Sequence, residues 1–176
     1  MSAQSQLLRR SSRARPELRR GTLVALHSDG ADASELAPLC AGLEREFDLL
    51  APQAARSRNP FLSSASPDDS RWRAYGGFRW FARDDAGRPE PASFGDSLWQ
   101  LEQLVRELHE RGAAPALLLG YREGATLALG AALAFPDLLS GVLALDGDRP
   151  EIPGWSERFA IPADLPVEEV RAGYTD

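Results

Sequence analysis

The stretch LLLGYREGATLALGAAL, residues 117 to 133, restricts the fold more than any other part of the chain. An apolar run of strand length meets Gly120-x-x-x-Gly124 and passes directly into an alanine-rich helical segment. A backbone that turns so sharply from strand to helix needs glycines beside the tip, because bulkier residues would collide with the neighbouring strand and helix. The tip itself is Arg122. Its position is next to a helix N-terminus, where free N–H groups can hold negative charge.

The same alternation recurs along the chain. TLVALH (22 to 27), closed by a Ser-Asp-Gly turn, predicts a strand buried on both faces. Leu36, Leu39, Cys40, Leu43 and Phe47 then repeat at helical spacing, with Asp32 or Ser34 to cap the start, and FDLLAP (47 to 52) predicts a second strand. Residues 53 to 94 are rich in Pro, Gly, Ser, Arg and Asp. Such a long connection carrying Trp72, Tyr75, Phe78, Trp80 and Phe81 reads either as a lid or pocket wall, or as a surface loop anchored by its aromatics.

Ser97-x-x-Gln100 fits a capping box, and Leu98, Leu101, Leu104, Val105 and Leu108 share one helical face up to Gly112. PALLLG (115 to 120) predicts a strand, 123 to 135 a helix, and GVLALDGD (141 to 148) another strand. Strands alternating with helices imply a three-layer α/β architecture, a parallel sheet with helices on both faces. Ligands in such sheets sit at the carboxyl ends of the strands, where residues 27 to 31, 120 to 124 and 146 to 149 fall.

A 176-residue chain with 43% hydrophobic residues predicts one domain, residues 21 to 176, preceded by a disordered basic tail, residues 1 to 20. The tail holds six arginines and one glutamate, +5 of a chain total of −6, so the body carries −11. That charge argues against a nucleic-acid partner. The longest apolar stretch, 125 to 139, is interrupted by Gly130, Pro136 and Asp137 and too short for a membrane span. A single cysteine, Cys40, and the lack of a signal-like apolar region in the tail favour a reducing, cytoplasmic setting. No His/Cys cluster has metal-ligand spacing and no glycine pattern cradles phosphates, so neither metal nor cofactor is expected.

From residue 21 to 176 the chain resembles the phospholipase/carboxylesterase and acyl-protein thioesterase family of small α/β-hydrolases. LVALHSDGADASELAPLCAGL resembles that family's first-strand segment, where a His-Gly pair opens the oxyanion loop, and LLAPQAAR is similar to its next strand with an Ala-Pro-Gln turn. FRWF resembles its Arg-x-Trp-Phe segment, and GYREGATLALGAALAFPDLLSGVLAL its Gly-x-Ser-x-Gly nucleophile elbow and following strand.

The resemblance implies a Ser-His-Asp triad, and this sequence departs from it. Arg122 stands at the nucleophile position, and a permanently protonated guanidinium cannot attack a carbonyl. LPVEEVRAGYTD resembles the strand that delivers the acid, which puts Asp176 at the acid position, with the last strand and helix missing or truncated and no histidine beyond it. His27 matches a structural histidine and His109 sits in the last turn of a helix. Ser28 replaces a glycine of the oxyanion loop, whose donors would be the backbone N–H groups of Asp29 and Glu123. Cys40 reads as a core thiol, and Asp146 and Asp148 as turn residues or as acids.

The expectation is a hydrolase homologue with no intact catalytic set and no activity by the ordinary route. Ser28, Asp29, Trp80, Arg122 and Glu123 would line a site for a small acyl or anionic ligand. A fixed cation at position 122 opposes the helix dipole unless an anion, or a carboxylate such as Glu123 or Asp146, offsets it. A partner-binding role, with homo- or hetero-oligomers formed through an exposed sheet edge, is a further expectation. The alternative is an active carboxylesterase or thioesterase that cleaves small esters through another nucleophile, or as part of a longer chain.

Overall fold

A computed structural model describes residues 9–14, 19–58, 76–155 and 158–172. Asp176, Trp72 and Tyr75, singled out above, lie outside these. In chain order the elements are strands β1 (Arg9–Ser12), β2 (Gly21–Leu26), β3 (Phe47–Pro52), β4 (Arg56–Ser57) and β5 (Phe78–Arg79), helix α1 (Pro91–Glu110), strand β6 (Ala116–Tyr121), helix α2 (Glu123–Ala134), and strands β7 (Leu139–Leu145) and β8 (Val167–Val170).

Six strands form the main sheet in the order β1-β3-β2-β6-β7-β8, and β4 pairs with β5 in a separate hairpin. From β3 to β8 every neighbouring pair is parallel, as the alternating pattern implies. Leu23 lies opposite Leu117, and Leu118 opposite Val142. Side chains alternate between the faces. Val24, Leu26, Leu118, Val142 and Ala144 face a core shared with Phe94, Leu98, Leu101, Leu104 and Val105 of α1 and the alanines and leucines of α2. Leu23, Ala25 and Leu119 face the other way, against Leu36 and Cys40. This is the three-layer α/β-hydrolase-like fold.

Three local expectations are corrected. The second face is covered not by an α-helix over Leu36 to Phe47 but by successive turns ending in a 3-10 segment, Leu43–Arg45. Pro38 has no N–H to donate, and Gly42 takes φ 95°, so a continuous helix is broken at both points. Cys40 is nonetheless buried, as its apolar spacing implied.

Helix α1 begins at Pro91, six residues before the expected cap. The Glu90 carboxylate accepts the N–H groups of Ala92 (3.0 Å) and Ser93 (2.8 Å), and proline suits the first helical position. Ser97 is buried and donates to the Trp80 carbonyl instead. Finally, residues 9–12, assigned above to a disordered tail, form β1 and run antiparallel to β3, Arg9 opposite Pro52 and Ser12 opposite Leu49. Their backbone groups satisfy a strand edge that would otherwise stand open.

Candidate functional site

The turn between β6 and α2 is closely packed. A Cβ at Gly124 would lie 2.1 Å from the Leu26 carbonyl oxygen, and one at Gly120 would lie 2.4 Å from the Gly124 carbonyl oxygen. Neither position accepts a side chain, so the helix start is pressed against the end of β2. Arg122 at the tip takes φ 50°, ψ −107°, outside the regions that L-residues favour. Its N–H donates to the Leu145 carbonyl (2.8 Å), while the Asp146 N–H donates to the Val170 carbonyl (2.7 Å), so the carboxyl ends of β6, β7 and β8 are joined.

The Arg122 side chain is 57% exposed. Its Nε lies 3.3 Å from an oxygen of Asp146, and its Cζ is 5.2 Å from the centre of the Tyr121 ring. Asp146 therefore supplies one of the carboxylates that a cation at this helix end was expected to need. The residue at the N-cap, Arg122, makes no side-chain capping hydrogen bond to the start of α2.

Glu123, the next residue, is only 2% exposed. Its Oε2 accepts the Trp80 backbone N–H at 2.7 Å. Burial pushes its pKa up to about 7, against the lowering effect of that hydrogen bond; Asp29 raises it further, and Arg83 and Arg79 lower it. A polar relay continues behind it. The Trp80 indole N–H donates to the His27 carbonyl (2.8 Å), and His27 Nε2 accepts the Ala54 N–H (3.1 Å) and faces Gln53 Nε2 (3.2 Å).

With Nε2 accepting, Nδ1 carries the proton and donates to the Ser28 carbonyl at 2.8 Å. Burial lowers the His27 pKa, which keeps the ring neutral. Both ring nitrogens are thus committed within the protein, consistent with a structural histidine.

Arg122, Glu123, Asp146 and Asp148 share a cleft of about 860 Å³ at the carboxyl ends of β6, β7 and β8. Sequence reasoning missed most of its other walls. Arg83 and Arg88 come from the segment before α1, and Arg149, Glu169 and Arg171 from around β7 and β8. Their only signal was a position next to strand ends or in a loop, which many solvated arginines share. Arg149 pairs with Glu169 (2.8 Å) and Arg171 with Asp148 (2.8 Å). Arg83 donates to the Gly87 carbonyl (2.7 Å) and lies over the Phe81 ring.

The structure does not bring Ser28, Asp29 or Trp80 to this cleft. Ser28 is buried, with its N–H and its hydroxyl each donating to the Glu35 carboxylate at 2.6 Å. Asp29 faces Arg58 at 3.6 Å. Trp80 is 2% exposed and Phe81 fully buried, so of the two readings of the aromatic connection the described part behaves as an anchor. Among the described residues no helix is long and apolar enough to cross a membrane, and no three His, Cys, Asp or Glu side chains gather as metal ligands would.

No protein-family model and no curated protein matches the sequence, whereas solved structures do. A carboxylesterase from Mesorhizobium loti is 25% identical, over 89% of this chain and 67% of that one, with a TM-score of 0.63. The Bacillus cereus carboxylesterase is similar over 98% of this chain and 73% of its own, with 16% identity and a TM-score of 0.70. A phospholipase/carboxylesterase from Dyadobacter fermentans aligns over 97% and 89% of the two chains, with 14% identity and a TM-score of 0.63.

Proposed function

From the premise that this chain has the α/β-hydrolase fold of the carboxylesterases, we propose that it does not cleave esters by a serine-type route and that its cleft binds a small anion. The observation that carries this reading is Arg122 at the tip of the elbow, side chain exposed to the cleft. Acyl transfer begins with an electron pair at that tip, and a guanidinium offers none at accessible pH. What it offers is charge and planar N–H donors, which suit carboxylate or phosphate oxygens. The uncapped first turn of α2 adds backbone donors of the same polarity.

Wild-type protein is expected neither to turn over p-nitrophenyl acetate nor to react with a fluorophosphonate probe. Burst-free kinetics and an unlabelled band on a gel would agree with this; labelling at any residue would overturn it and favour the alternative, an active esterase with a different nucleophile. For the ligand, acetate or inorganic phosphate should raise the melting temperature of the wild type and leave Arg122→Ala unmoved. Equal shifts in both proteins would remove Arg122 from the site.

A further inference from the structure

We propose that the face of the main sheet turned away from α1 and α2 is an interface on which a second copy of this chain docks. Parallel sheets are ordinarily covered on both faces. On this face the turns before β3 lay Leu36 and Cys40 over Leu23, Ala25 and Leu119, in the middle of the sheet. Towards β7 and β8 the cover thins. Side chains of cross-strand partners project to the same face, and the register sets Tyr121, Leu145 and Val170 in one row and Leu119 and Leu143 in the next. Tyr121, Leu143 and Leu145 are only partly buried, and Val170 is 44% exposed. In the third row Leu117 stands opposite Gly141, which has no side chain. The result is a shallow apolar trough.

The chain itself presents what would fill this trough. The covering turns, on the same side of the sheet, expose Leu39 by 52% and Leu43 by 40%. One chain thus carries an apolar ridge and an apolar trough, both open to solvent, and exposed apolar surface of this kind marks a contact site. A two-fold axis lying in the contact plane, along the strands, lays the Leu39–Leu43 ridge of each copy on the trough of the other. The contact is then closed at two copies.

Charge complementarity favours a second copy as the occupant. Near the ridge Glu46 pairs with Arg20, and around β8 Glu169 pairs with Arg149 and Arg171 with Asp148. Among the described residues Arg45, at the end of the ridge, and Glu168, opposite Leu143 at the end of its row, have no ion-pair partner, and both are exposed. They are opposite in sign, one beside each half of the contact, so two copies can pair both. Other occupants fit less well. An anionic lipid surface would be repelled by the −11 charge of residues 21 to 176. Strand-to-strand pairing at β8 is discouraged by its length of four residues and by Glu168 and Glu169 within it.

The test is sedimentation velocity of the full chain from about 1 μM to about 100 μM. The wild type should shift from monomer to dimer across that range. Leu39→Glu and Leu43→Glu, both at exposed positions, should remain monomeric while keeping the circular dichroism spectrum of the wild type. Arg45→Glu and Glu168→Arg should each weaken association by about tenfold or more, and the double exchange should recover most of that loss, because the pair is restored with its signs reversed. A wild type that stays monomeric at about 100 μM, or that grows beyond the dimer, overturns the proposal. So does a dimer that Leu43→Glu leaves intact, or a double exchange no better than the single variants. Binding of a monomeric wild type to phosphatidylcholine vesicles would overturn it in favour of a lipid surface.

Discussion

Arg122 combines an awkward backbone with a polar tip. At φ 50° a side chain with a Cβ is strained, by about 1 kcal/mol relative to glycine. Its ion pair with Asp146 is exposed and returns little. Arg122→Gly should therefore leave the fold as stable or more stable, by about 1 kcal/mol in urea unfolding, while abolishing the acetate response. A loss of stability would mean that the arginine holds the turn. Functionally the residue is then better explained by what it touches than by what it supports.

At the scale of elements, the contrast between two glycines is instructive. Gly124 is in contact with the Leu26 carbonyl, and Gly124→Ala should cost about 3 kcal/mol or prevent folding. Gly95 lies inside α1, and the methyl that alanine would add there meets nothing within 4 Å, so Gly95→Ala should gain about 1 kcal/mol by lowering the entropy lost on folding. Denaturation midpoints of both variants check the pair.

The elbow was legible in the sequence because steric need leaves a fixed spacing of glycines, and β2, β3, β6 and β7 were legible because buried parallel strands are short apolar runs ended by turns. The segment from Leu36 to Phe47 misleads because its apolar spacing is helical while Pro38 and Gly42 break the helix. The start of α1 misleads because a serine at 97 suits a cap, while Glu90 and Pro91 do the capping. Arg122 and Glu123 were found from the motif they stand in; Arg83 and Arg171 were not, because only tertiary packing brings them to the same cleft.

For the whole molecule, two buried groups oppose each other across the mildly acidic range. The Glu123 carboxyl, pushed up to about 7, keeps its proton in the folded chain at pH values where the unfolded chain has lost it. Its contribution to stability is full below about pH 4.5 and is lost as pH rises through about 7. The His27 ring, with its pKa lowered, is neutral when folded, and its contribution is lost as the pH falls below about 6.5. Below about pH 6.5 the two slopes oppose each other, and above it only the Glu123 loss remains, so the part of stability that these groups govern should fall from about pH 6.5 to about pH 7. At about pH 8 Glu123→Gln should exceed the wild type by up to about 3 kcal/mol in chemical denaturation, and the gap should close towards about pH 5. A gap that does not vary with pH would place its origin in packing instead.

The bend after β6 is held where the Leu26 carbonyl oxygen occupies the space that a side chain at Gly124 would need, a constraint that involves no reacting atom. Contour and reactivity are consequently independent variables here. Whatever residue occupies the apex inherits the pose of a nucleophile, and only its own electrons determine whether that pose is put to use.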